Sequence, residues 1–186
     1  MQFLFGAGAL LLNLIGYIPY IRDILRGMVK PHRVTWAVWT ILTTIAAFNQ
    51  VANGGGYSSL FFVSTAFLVT LVLILSFRYG MGGASVLDRF CLIAAIFLLI
   101  YWITVRDTYV STILAVVIDT IGAIPTIVKV YHNPKTETYT QWCFAAIGGL
   151  LTMLAVPQFT MILVLYPFYI AIMNSLIVGV KYVRER

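Results

Sequence analysis

Charge is scarce in this chain. Of its 186 residues only 10% are Asp, Glu, Lys or Arg, with six acidic residues against twelve basic ones. A soluble domain has about a quarter of its residues charged, so this one cannot cover itself in water. Cysteine is almost missing as well. Cys91 and Cys143 both lie in apolar runs and read as small packing residues, which excludes a disulfide-built secreted domain. His32 and His132 have no cysteine or carboxylate partners at metal-ligand spacing. No glycine-rich phosphate loop follows a strand, since Gly54–Gly56 reads as a short turn, and no Ser/His/Asp set stands out. The expectation is therefore no metal, no cofactor and no enzymatic activity. The net charge of +6 bears on membrane orientation rather than on nucleic acid.

Apolar residues are what the chain has instead: 61% of it, with a mean hydropathy of +0.97. Its solvent is a bilayer. A spanning helix needs roughly 20 apolar residues, and seven runs qualify, at 2–22, 34–52, 57–77, 88–105, 108–131, 139–156 and 158–180. The first lacks a basic leader and a small-residue cleavage site, so it reads as a retained helix rather than a signal peptide. With seven spans the connections alternate in charge. Arg22, Arg26, Lys30 and Arg33 follow the first span; Arg78 and Arg89 follow the third; Lys129 and Lys135 follow the fifth; Lys181, Arg184 and Arg186 end the chain. Arg106 alone falls on the other side, with the Asn53–Gly56 and Pro157–Gln158 turns. Basic loops stay in the cytoplasm, so the N-terminus is expected outside and the C-terminus inside, in the plasma (inner) membrane.

A repeat lies under the hydropathy. Shifted by 106 positions without gaps, Ile15, Gly16, Ile18, Pro19, Ile21 and Trp36 fall on Ile121, Gly122, Ile124, Pro125, Ile127 and Trp142, and Asn13 falls on Asp119. The glycine and proline matches weigh most, because those residues act on the backbone. Each copy is three helices. Three is odd, so the fourth span restores the direction of the second copy and makes the copies parallel. The predicted fold is an all-α membrane protein of seven transmembrane helices in a 3+1+3 parallel repeat. Residues 1–77 form the first three-helix bundle, 78–107 the linker helix and 108–186 the second bundle.

The pattern Gly-x-Ile-Pro-x-Ile, a short basic loop and a Trp opening the next helix, twice around a lone helix, resembles the PQ-loop and SWEET superfamily. The resemblance covers the whole chain. It departs at Pro19–Tyr20 and Pro125–Thr126, where the family name expects Pro-Gln; the one Pro-Gln pair, Pro157–Gln158, lies in an outer turn. The resemblance implies a transporter working by alternating access, with Pro19 and Pro125 as hinges. It also implies a sugar ligand in Asn174, which resembles an asparagine of SWEET-type last helices. The usual partner on the third helix is missing, since Leu68 stands at the matching position.

The residues add their own reading. Pro19 and Pro125 each remove one backbone donor and free the carbonyl four residues earlier, which serves either a static kink or a hinge. Asp119 is the one charged residue well inside a span. Buried ionisable groups in membranes are costly and mark pathways, so it is expected to bind solute or, by the resemblance, to couple transport to protons. Trp36, Thr40, Thr43 and Gln50 share a face of the second span, flanked by Trp39 and Asn49. Aromatic faces and hydroxyls of this kind suit sugars. Trp36 and Trp142 are read as an interfacial belt or a cytoplasmic gate contact, and Gly148–Gly149 as close helix packing. The expected pocket gathers Asn13, Thr43, Gln50, Asp119 and Asn174 near mid-membrane, for a small-molecule solute moved downhill or with protons. The expected partners are that solute and lipid, with the protein a monomer or a homo-oligomer. A proton-coupled amino-acid transporter and a non-transporting receptor on the same architecture are the alternatives.

Overall fold

A computed structural model describes residues 1–82 and 85–186; residues 83 and 84 of the linker segment lie outside the described residues. The described residues form a bundle of seven α-helices: α1 (Gln2–Leu25), α2 (Arg33–Ala52), α3 (Ser59–Tyr79), α4 (Val86–Val105), α5 (Thr108–His132), α6 (Tyr139–Ala155) and α7 (Met161–Glu185). Single 3₁₀ turns occur at Gly56–Ser58 and Pro134–Thr136, and no strand occurs among the described residues. Six helices are long and apolar enough to cross a bilayer. The other, α6, has 17 residues, the short limit of roughly 17–25 for a span. Helices are the expected solution, because hydrocarbon offers no partner to an exposed backbone group.

The helix ends differ from the apolar runs where polar residues continue the helix. α1 runs on past Arg22 and Asp23 to Leu25, and α7 runs past Lys181 to Glu185. α6 stops at Ala155 because Pro157 holds Val156 extended, and α7 begins only at Met161, after an extended Thr160. The α4–α5 turn is short. Arg106 adopts a left-handed conformation at φ 58°, and the Asp107 side chain caps α5 by accepting from the Val110 N–H at 3.0 Å.

Loops collect at two ends. At the basic end the Pro31 and Met81 backbones pair, Arg33 donates to the Ser76 and Gly80 carbonyls, and Lys181 donates to Pro134 O at 2.7 Å. At the opposite end Gln2 donates to Val156 O at 3.2 Å, and Phe3 meets Tyr57 edge-on. The burial pattern is inverted relative to a protein in water. Phe67 and Phe97 are 71% and 65% exposed, while Asn13, Thr43 and Asp119 are buried. That is the surface of an integral, multi-pass membrane protein.

The helices pack as two trios. α3 lies between α1 and α2, and α7 lies between α5 and α6; the backbones of α1 and α2, and of α5 and α6, make no close approach among the described residues. The two trios meet where α1 packs on α6 and α2 on α5, with α4 lying against α2 and α5. Close approaches explain the glycines. A Cβ on Gly16 would press on Gln141 and Phe144, and one on Gly122 would press on Val38. Gly148 faces the Phe61 ring, and a Cβ on Gly149 would lie 2.8 Å from the Pro167 carbonyl oxygen.

Candidate functional site

Between the trios lies a cavity of about 50 Å³. Helices α1, α2, α3, α5, α6 and α7 all contribute side chains to its wall. Asp119 of α5 is its only carboxyl group among the described residues, 2% exposed. Trp39 of α2 donates its indole N–H to Oδ1 at 2.5 Å, and Tyr166 of α7 donates its hydroxyl to Oδ2 at 2.7 Å. One acid thus joins three helices, and both of its oxygens are engaged. Hydrogen bonds to a buried carboxyl group are what make it tolerable out of water.

Asn13 of α1 lies on the same wall and donates to Ser64 Oγ at 2.8 Å and Thr65 Oγ1 at 2.9 Å, both on α3. Asn174 donates to the Ile170 carbonyl of its own helix at 2.7 Å, and Thr43 donates to the Trp39 carbonyl at 2.7 Å. Both residues line the cavity. Gln50 does not. It lies near the opposite end, donating to Leu163 O at 3.0 Å and accepting from Ser58 Oγ at 3.1 Å, so its amide ties the start of α7 to the 53–58 turn. The stripe on α2 is therefore split by depth: four residues at helical spacing share a face, but a helix rises about 1.5 Å per residue, and Gln50 is two turns beyond Thr43.

Toward the basic end the cavity is floored by aromatic rings. Trp36 and Trp39 stand 5.2 Å apart, Trp39 and Trp142 5.8 Å, Tyr20 and Trp36 5.5 Å, and Tyr20 and Trp142 6.2 Å, mostly edge to face. Trp36 and Trp142 are buried inside the bundle, so neither serves in a lipid-facing belt. Below this layer lies an ion pair, Lys129 of α5 with Glu137 of the α5–α6 loop; they are 6% and 4% exposed. Trp142 donates to Glu137 Oε2 at 3.2 Å, Tyr20 to Oε1 at 3.4 Å, and Lys129 also donates to Lys30 O at 3.0 Å. Nearby, burial pushes the His32 imidazole below its usual pKa although Asp88 pulls the other way.

Sequence reasoning missed Lys129–Glu137, Tyr166 and Gln141 as parts of this region. Lys129 reads as one of the loop charges and Glu137 carries no signal of its own, because eight positions separate them and nothing in a hydropathy profile marks a loop that folds inward. Tyr166 carried no signal beyond an aromatic residue in an apolar run. Among the described residues no group of His, Cys, Asp and Glu is arranged to hold a metal ion. Comparison with protein-family models, with curated proteins and with solved structures gave no match.

Proposed function

We propose that this chain is a membrane transporter that moves a small polar solute by alternating access, with a sugar as the first substrate. Two parallel three-helix bundles, 1–77 and 108–186, are joined by the linker helix and rock about the cavity between them. Support for the repeat comes from matched packing. Gly16 against Phe144 and Gly122 against Val38 are related by the same 106-position shift that aligns the two prolines. The basic end is the cytoplasmic one in this reading, by the charge bias of its loops. Trp36, Trp142 and the Lys129–Glu137 pair form its gate.

The observation that carries the reading is a buried acid facing a cavity between the trios, closed at the basic end by rings and an ion pair. A volume of about 50 Å³ holds roughly three or four waters, too little for a hexose. Loading then requires the bundles to part, and this is the movement Pro19 and Pro125 would allow. Asp119 binds solute or carries the coupling proton. It also favours a second substrate class, an amino acid or other small amine, whose ammonium would meet the carboxyl group.

The test is uptake into proteoliposomes over a panel of sugars and amino acids, with and without a proton gradient. Wild-type protein should accumulate at least one solute, and Asp119→Asn should lose the response to the gradient. No flux for any solute sinks the transport reading. Unchanged gradient dependence in Asp119→Asn removes the proton role alone.

A further inference from the structure

One amide on the cavity wall is left unused by the fold. Gln141 stands in the first turn of α6, 4% exposed, lining the cavity beside the backbone of Gly16. Its Oε1 is enclosed and accepts no hydrogen bond, and its amide nitrogen donates none. An unpaired buried acceptor is costly and calls for an explanation. A structural explanation is present in the other trio and missing here. Thr35, 106 positions earlier, spends its hydroxyl on the Gly122 carbonyl at 3.1 Å, but Gln141 makes no such bond to α1.

Asn13 and Asn174 commit their nitrogens to Ser64, Thr65 and Ile170, and their side-chain oxygens accept nothing from the protein. Among the described residues no Lys, Arg or His lines the cavity, while one carboxyl group does. The unspent groups include donors, the Gln141 amide nitrogen and the Tyr17 and Tyr169 hydroxyls, as well as acceptors, and the charge is of one sign.

We infer that Gln141 is a ligand of the transported solute, and that the cavity takes neutral or ammonium-bearing solutes and rejects carboxylates. This rests on the transport reading and narrows it. A carboxylate brought here would find no cation, and Asp119 would repel it at low dielectric. A hydroxyl or an ammonium group would satisfy Gln141 Oε1 and the asparagine oxygens together. Of the two substrate classes proposed above, sugars and simple amines fit this wall, and zwitterions fit it poorly.

The experiment compares uptake of D-glucose, ethanolamine and lactate into proteoliposomes holding wild type, Gln141→Leu or Gln141→Glu, with thermal unfolding of each in detergent. Wild type should carry glucose or ethanolamine and leave lactate outside. Gln141→Leu should raise KM for the carried solute about tenfold, the value of one neutral hydrogen bond, with the maximal rate kept. Its Tm should not fall, since the removed group had no partner. Gln141→Glu should shift preference toward ethanolamine. Lactate carried as well as the neutral solute, an unchanged KM in Gln141→Leu, or a lower Tm in that variant would each overturn the inference while leaving transport standing. Wild type that carries none of the three overturns the inference too, and a wider panel then decides whether transport itself fails.

Discussion

Asp119 and Glu137 show what a single buried carboxyl group costs inside the bundle. Each carboxyl group is buried and each is made tolerable by donors from other helices: Trp39 and Tyr166 for Asp119, and Lys129, Trp142 and Tyr20 for Glu137. The ion pair has the higher stake, because removing one partner strands the other. Lys129→Met should therefore lower stability by roughly 3–5 kcal/mol, whereas the double change Lys129→Met with Glu137→Gln should recover most of that loss. Thermal unfolding of the three proteins in detergent measures it. A single variant as stable as wild type would mean that Glu137 reaches water at the basic end.

At the scale of the helix, the two proline positions are unequal. Pro125 frees the Ile121 carbonyl, and the Cys91 thiol of α4 donates to it at 3.6 Å. Next to it, the Gly122 carbonyl takes the Thr35 hydroxyl at 3.1 Å. Pro19 frees the Ile15 carbonyl in the same way, and no side chain donates to it. The freed backbone on α5 is thus braced by α4 and α2, while the freed carbonyl on α1 has no side-chain donor. Pro19→Ala and Pro125→Ala should both fold, since each restores a helix hydrogen bond, and both should slow uptake, with the larger loss in Pro19→Ala. Uptake rates normalised to reconstituted protein decide it; normal rates in both variants remove the hinge.

For the whole molecule, the arrangement to establish is which end faces which side. Asn53 and Lys135 are exposed at opposite ends, and neither natural cysteine lies in a loop. In a background with Cys91 and Cys143 replaced by Ala, Asn53→Cys should react with an impermeant maleimide on intact cells, and Lys135→Cys only after permeabilisation. The reverse pattern would invert the orientation and make the Lys129–Glu137 layer an outer gate.

The helix count, their near-boundaries and the loop charge bias were legible in the chain because hydrocarbon imposes them locally. Every backbone group must be paired within its own helix, and every charge must be placed in a loop or given a partner. Asp119, Asn13, Thr43 and Asn174 could be nominated on the same ground, as polar residues inside apolar runs. Gln50 looked equivalent to Thr43 because periodicity reports the face of a helix and not its depth. Which groups meet was decided only in three dimensions. Trp39 and Tyr166 reach Asp119 from helices 80 and 47 positions away in sequence, and Glu137 becomes buried only because its loop folds under the rings of α1 and α6. Such partnerships depend on how helices pack, and the interior of a bundle leaves no periodic mark on any one of them.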